Sequence, residues 1–215
     1  MGVFGGTFDP VHYGHLRTAF ELLQALALAE VRFLPCATPP HRGTPIAAAA
    51  DRLAMVEAAC AGQDGFVVDD RELARDGPSW SVDTLESLRA EHPDTPLALI
   101  VGMDAFLGLP RWHRWRRILN LAHVVVAHRP GWQAPGSGPL GALLRERLAE
   151  DPAELGAKLA GRIVVYAVTQ LEISSTEIRE LIRAGRDPRF LLPDSVARLA
   201  AESGCYRQRT VSTGR

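Results

Sequence analysis

Six short apolar runs, separated by segments of helical period, govern what this chain can fold into. Val3 to Gly5, Val31 to Pro35, Phe66 to Asp69, Leu97 to Val101, Val124 to Ala127 and Ile163 to Tyr166 read as strands. Between them Leu16, Ala19, Phe20, Leu23 and Ala27 repeat at helical spacing from about Gly14 to Ala29. Leu53, Val56 and Ala59 or Cys60 do the same over Asp51 to Ala61. Ser81 or Asp83 can cap a further helix running to Arg89, and short helices are expected over Glu177 to Ala184 and Ser195 to Glu202. Leu97 to Val101 is continuously apolar, as a parallel strand buried on both faces must be. Strands alternating with helices require an α/β fold, a doubly wound, mostly parallel sheet with helices on both faces. Ligands of such sheets bind beyond the carboxyl ends of the strands, near the switch in strand order.

The chain has 215 residues, which suits one domain. Residues 1–206 are read as that domain, with a Pro/Gly-rich insertion at about 130–140 and a flexible tail over 207–215. Tyr206 to Arg215 carries no apolar pattern, so the chain is expected to loosen from Tyr206 on. A net charge of −1 provides no broad basic field, so neither nucleic acid nor a membrane surface is an expected partner. Only Lys158 is a lysine, so basic contacts to phosphate are expected from arginine. Cys36, Cys60 and Cys205 are odd in number and far apart, which fits a reducing cytoplasm rather than a disulfide framework. No run reaches the ~18 apolar residues of a membrane span, and no secretory leader is expected. Oligomeric state is not legible.

Gly5-Gly6-Thr7-Phe8-Asp9-Pro10-Val11-His12-Tyr13-Gly14-His15 follows the first strand. It is neither a dinucleotide fingerprint nor a Walker loop. Adjacent glycines nevertheless let the backbone approach an anion, with a helix start just beyond. His12 and His15 can donate to a phosphate whose charge grows during reaction. Taken alone, the histidine pair also fits a metal pair or a structural one, although no Cys or carboxylate cluster completes a zinc set. Ile173-Ser174-Ser175-Thr176-Glu177-Ile178-Arg179 lies far downstream after another apolar strand. Its hydroxyls, free helix N–H groups and guanidinium can converge on one anion, or Ser174 and Glu177 can form an ordinary capping box. Gly102 and Asp104 end the central strand, where the carboxylate suits ribose hydroxyls, a hydrated magnesium ion or a cap for Ala105 to Leu109.

The Gly5 to Leu16 stretch resembles the signature of the H-x-G-H nucleotidyltransferases, in particular the bacterial nicotinate mononucleotide adenylyltransferases. The resemblance implies a Rossmann-like domain that joins ATP and nicotinate mononucleotide into nicotinate adenine dinucleotide, releasing pyrophosphate in NAD biosynthesis. It assigns Gly6, Thr7, Phe8, His12, His15, Gly102, Asp104, Ser174, Ser175, Thr176 and Arg179 to ATP. Pro39-Pro40-His41-Arg42 resembles a P-P-H-[KR] loop over the phosphates, with arginine where many relatives have lysine. Arg52 and Met55 match R-x-x-M, a pattern whose role can be packing and salt bridging alone.

The superfamily also makes coenzyme A precursors, flavin dinucleotide and CDP-alcohols, so the acceptor rests on other segments. Pro78-Ser79-Trp80-Ser81-Val82-Asp83-Thr84-Leu85 is similar to the segment whose amides, at the positions of Trp80 and Ser81, meet the pyridine carboxylate. Helix-start amides favour that anion over a neutral carboxamide. Trp112 matches the aromatic that stacks on the pyridine ring, whereas Trp115 reads as packing on the same helix face and Trp132 as loop or surface packing. His41, Arg42 and Arg129 complete the implied acceptor set. Catalysis is assigned to His12, His15, Arg42 and Arg179, with Mg²⁺ carried mainly by the ATP phosphates and no protein metal site. A sister enzyme using nicotinamide mononucleotide or phosphopantetheine, or a non-catalytic nucleotide sensor, remains the alternative.

Overall fold

The computed structural model describes residues 1–39, 43–128, 135–169 and 171–207. All six expected strands form: β1 (Gly2–Gly6), β2 (Val31–Pro35), β3 (Phe66–Val68), β4 (Ala98–Gly102), β5 (His123–His128) and β6 (Ile163–Ala167). They build one parallel sheet in the order β3-β2-β1-β4-β5-β6, so the winding direction reverses between β1 and β4. β1 is in register with β2 along its whole length, from Gly2 opposite Val31 to Gly6 opposite Pro35. Against β4 it pairs only at Gly2–Ala98 and Val3–Leu99. Beyond that point the two strands diverge, and a crevice opens between Gly6 and Gly102.

Helices cover both faces, as the apolar runs require. Alternate residues of the central strands enter separate cores: Ala98, Ile100, Val125 and Ala127 on one face, Leu99, Val101, Val124 and Val126 on the other. The first face receives α1 (Tyr13–Ala25), α2 (Ala49–Cys60), α8 (Ser175–Arg183) and α9 (Asp194–Ser203) through Leu22, Val56, Ile178 and Val196. The second receives α3 (Ser81–Glu91), α4 (Met103–Gly108), α5 (Trp115–Leu121) and α6 (Gly138–Arg147) through Leu85, Phe106, Ile118 and Leu144. A short α7 (Glu154–Ala157) precedes β6. Burying a side chain of this size contributes about 1.5–3 kcal/mol, so the two cores dominate stability.

Three expectations fail. α1 stops at Ala25 rather than Ala29, because the chain turns with Ala27 at φ 46°. The Pro/Gly-rich stretch is not loop throughout: α6 starts at Gly138 behind Ser137, and Pro139 sits in the first turn, where no backbone N–H is needed. The other part of that stretch, Arg129 to Ala134 with Trp132, lies outside the described residues. Tyr206, read as the start of a loose tail, is 0% exposed. Its ring packs in the first core and its hydroxyl donates to Asp9 Oδ1 at 2.7 Å.

Candidate active site

The β1–α1 loop is shaped by packing beneath it. Phe8 takes φ 47°, in the left-handed region, and turns its ring under the loop to 2% exposure. A Cβ on Gly6 would meet that ring at 2.8 Å, so glycine is needed there. The Phe8 ring stands edge-on to the His15 imidazole at a centroid distance of 5.1 Å. Phe8 thus supports His15 from below while its residue edges the cleft.

His12 occupies the N-cap position of α1, and its ring lies 3.7 Å from that of His15 at 32°. The His12 backbone N–H donates to His15 Nδ1 at 3.3 Å. A ring nitrogen that accepts is unprotonated, so in neutral His15 the proton resides on Nε2. His12 is only 5% exposed, and burial pushes its pKa down from 6.5 to about 4, which keeps the ring neutral at pH 7. Among the described residues its buried Nδ1 has no hydrogen-bond partner of good geometry, although the His15 N–H approaches the side chain in a capping-box arrangement. A Cβ on Gly14 would stand 3.0 Å from that ring, which explains the glycine between the two histidines.

The two motifs that are distant in sequence meet here. Ser174 caps α8, its Oγ accepting the Glu177 N–H at 3.1 Å. Ser175 Oγ donates to Pro10 O at 2.9 Å. Arg179 donates from Nη1 to Asp9 O at 2.7 Å and from Nη2 to Thr176 Oγ1 at 3.1 Å. Arg179 Nε is buried and unpartnered, a second orphaned polar atom at this end of the cleft. Buried polar groups are nearly always satisfied, so two orphans beside one cleft point to an anionic ligand. Arg52 is not a salt-bridging residue. At 1% exposure it donates to Thr7 O at 2.8 Å and Ala47 O at 3.3 Å, and among the described residues it forms no ion pair. Carbonyls satisfy this buried guanidinium and brace the loop.

Across the crevice, Gly102 caps α4 and is exposed, with open space where a Cβ would stand. The helix begins earlier than Ala105, so Asp104 lies within its first turn rather than capping it. Trp80 caps α3 and Ser81 is its first residue, where a backbone N–H has no acceptor within the helix. The Trp80 amide already donates to Pro78 O at 2.9 Å, so the two amides are not equivalent. Trp80 lies over His113, ring centroids 5.0 Å apart at 35°. Trp112 closes the 3₁₀ turn Leu109–Arg111, and Trp115 opens α5 with Arg114 at φ 50° between them. They therefore share no helix face. Trp115 packs against the second core and carries the Arg116 guanidinium 4.5 Å above its ring.

Thr7, His12, His15, Asp104, Trp112 and Arg179, though not Arg52 or Trp115, line one cleft of about 1420 Å³. That exceeds the 300–1,000 Å³ typical of a drug-sized ligand and suits two nucleotides together. His41, Arg42 and Arg129 lie outside the described residues. The sequence reading missed Asp9, Tyr206 and Glu72. Glu72 is 6% exposed, accepts the Thr84 hydroxyl at 2.6 Å beneath the start of α3, and has its pKa raised by burial. The only available signal was their placement beside motifs, since burial itself is not visible in sequence.

Residues 3–181 match the cytidylyltransferase-like family. A protein of Aeromonas hydrophila is 51% identical over 207 residues, covering 96% of this chain and 97% of its own. One of Methylococcus capsulatus is 52% identical, covering 96% and 99%. Each is named "Probable nicotinate-nucleotide adenylyltransferase". The chain belongs to the nicotinate-nucleotide adenylyltransferase family. The Plasmodium falciparum nicotinic acid mononucleotide adenylyltransferase complexed with NaAD has the same fold, with a TM-score of 0.71 at 14% identity over 95% of this chain and 96% of that one. Family membership and fold thus agree with the strand–loop–helix signature at Gly5 to Leu16.

Proposed function

We propose that residues 1–206 form an adenylyltransferase domain whose cleft binds ATP and nicotinate mononucleotide and joins them into nicotinate adenine dinucleotide. The observation that carries this reading is the meeting of His12 and His15 with Ser175 and Arg179 at the crevice between β1 and β4.

The acceptor phosphate is a nucleophile at neutral pH, so no general base is needed. One of its oxygens attacks the α-phosphorus of ATP in line. That P–O bond forms as the bond to the β-phosphate oxygen breaks, and pyrophosphate leaves with the electron pair. Catalysis is then positioning and stabilisation of charge on the phosphates. His15, its Nδ1 accepting from the His12 N–H, donates from Nε2. The orphaned polar atoms of His12 and Arg179 gain partners, and the helix start at Ser175 and Thr176 adds backbone N–H groups. Arg42 is proposed to act from the loop above the phosphates. Gly6, Thr7 and Phe8 border the ATP side, and Asp104 beside Gly102 receives ribose.

Trp112 is proposed to stack on the pyridine ring, and the α3 start at Ser81, with Trp80, to face its carboxylate. His41 and Arg129 complete the acceptor contacts. Of the two carboxylates lining the cleft, Asp9 is committed to three protein donors, whereas Asp104 has no hydrogen bond to a protein donor among the described residues. With so few carboxylates available, this lining fits magnesium carried mainly by the triphosphate rather than by a protein site. The ion would offset phosphate charge when bound. No helix among the described residues is long and apolar enough to cross a membrane, and we place the reaction in the cytoplasm. Pyrophosphate release measured side by side with nicotinate mononucleotide, nicotinamide mononucleotide and phosphopantetheine tests the reading. Preference for the first is expected; preference for either other acceptor, or no release with any, overturns it.

A further inference from the structure

The carboxylate of Asp9 is a buried acceptor, shared among three protein donors, that the reaction itself does not need. It is 5% exposed and accepts three hydrogen bonds: Ile46 N–H at 2.8 Å on Oδ2, Ala47 N–H at 3.0 Å on Oδ1, and the Tyr206 hydroxyl at 2.7 Å on Oδ1. The carbonyl of the same residue accepts Arg179 Nη1 at 2.7 Å, and Oδ2 lies 3.9 Å from that nitrogen. One residue thus joins the β1–α1 loop, the segment entering α2, the phosphate-facing arginine and a tyrosine 197 positions away. Tyr206 is 0% exposed, and its hydroxyl is the only one of these groups that a single substitution removes without disturbing backbone or charge.

We propose that Tyr206 and Asp9 form a positioning pair that fixes Arg179 and the 43–47 segment for the phosphate end of the reaction, an inference that rests on the adenylyl-transfer reading above. The physical argument is one of satisfied acceptors. With the Tyr206 hydroxyl in place, Asp9 has a fixed orientation, and its carbonyl then presents a fixed acceptor to Arg179. Without it, the buried carboxylate loses a charge-assisted hydrogen bond and keeps only the Ile46 and Ala47 amides, so its pull on Arg179 Nη1, 3.9 Å from Oδ2, strengthens. That would draw the guanidinium from the orientation in which Nε borders the cleft. Tyr206 touches no substrate in this arrangement and acts only through Asp9.

Tyr206→Phe tests the pair, with Val196→Ala as the comparison. Val196 is buried in α9 within the same core, and its truncation destabilises the fold without touching Asp9. Expected for Tyr206→Phe is a fall in kcat of about tenfold, the scale of one hydrogen bond to a charged group. KM for nicotinate mononucleotide should stay within about twofold, because the acceptor wall belongs to the other face of the sheet. Val196→Ala should lower Tm at least as much and leave kcat near that of the parent. An unchanged kcat in folded Tyr206→Phe, or an equal loss of kcat in Val196→Ala, overturns the proposal. Calorimetric binding of pyrophosphate to both variants and to the parent separates this inference from the reading it rests on. If the parent binds pyrophosphate and Tyr206→Phe binds it about tenfold more weakly, the pair stands even where no dinucleotide is made. Equal binding by both rejects it.

Discussion

At the residue scale the two histidines stand in different environments where the sequence presents them as a symmetric pair. His12 is buried and neutral, while His15 is held as the Nε2–H tautomer by the backbone N–H of His12. His15→Ala is expected to reduce kcat by ~10²–10³-fold with the circular dichroism spectrum retained, the usual loss for one preorganised donor. His12 also makes a prediction about pH. Its folded pKa lies near 4, below its unfolded value of 6.5, so the unfolded chain binds the extra proton first. The stability due to its neutrality is complete above pH 6.5 and is lost as pH falls toward 4. His12→Gln should therefore flatten the decline of urea midpoint across that window; an unaltered slope would contradict the assignment. The histidine pair was legible because its spacing and the intervening glycine are local. Asp9 was overlooked because its importance arises from bonds to Ile46, Ala47 and Tyr206, partners that only the folded chain brings near.

Elements were legible wherever one face or both had to be apolar. The six strands follow directly from their runs, and α8 from Ser174, whose capping role proved compatible with a place in the cleft. α5 was not seen because Trp112 and Trp115 look like one helical stripe, and only the left-handed Arg114 between them shows the break. The start of α3 was legible in place but not in its cap, since Trp80, not Ser81 or Asp83, holds the N-cap position. Nor was the buried Glu72 that holds the helix start through Thr84 legible. Thr84→Val leaves that carboxyl short of a donor and should cost about 1–3 kcal/mol, seen as a Tm lower by several degrees. Because Thr84 lies one turn from Trp80, KM for the acceptor should rise more than KM for ATP. Thr84→Ser, which keeps the hydroxyl, should restore both. Equal movement of the two KM values in Thr84→Val would show that Glu72 serves stability alone.

Over the whole molecule the cleft has two walls drawn from two cores. α1 and α8, bearing His12, His15, Ser175 and Arg179, pack on one face; α3, α4 and the turn before Trp112 pack on the other. Trp112→Ala is expected to raise KM for nicotinate mononucleotide about tenfold or more, the cost of losing a ring stack, with KM for ATP within about twofold. Steady-state titration of each substrate at saturating levels of the other would reveal a shared effect, which would refute this division. The walls meet only because β1 and β4 stay paired for two residues and then part. On such a sheet, substitutions in a single layer of helices can alter the recognition of one partner without touching the wall opposite. Diversity of acceptors on a common reaction is then a property of where two strands separate.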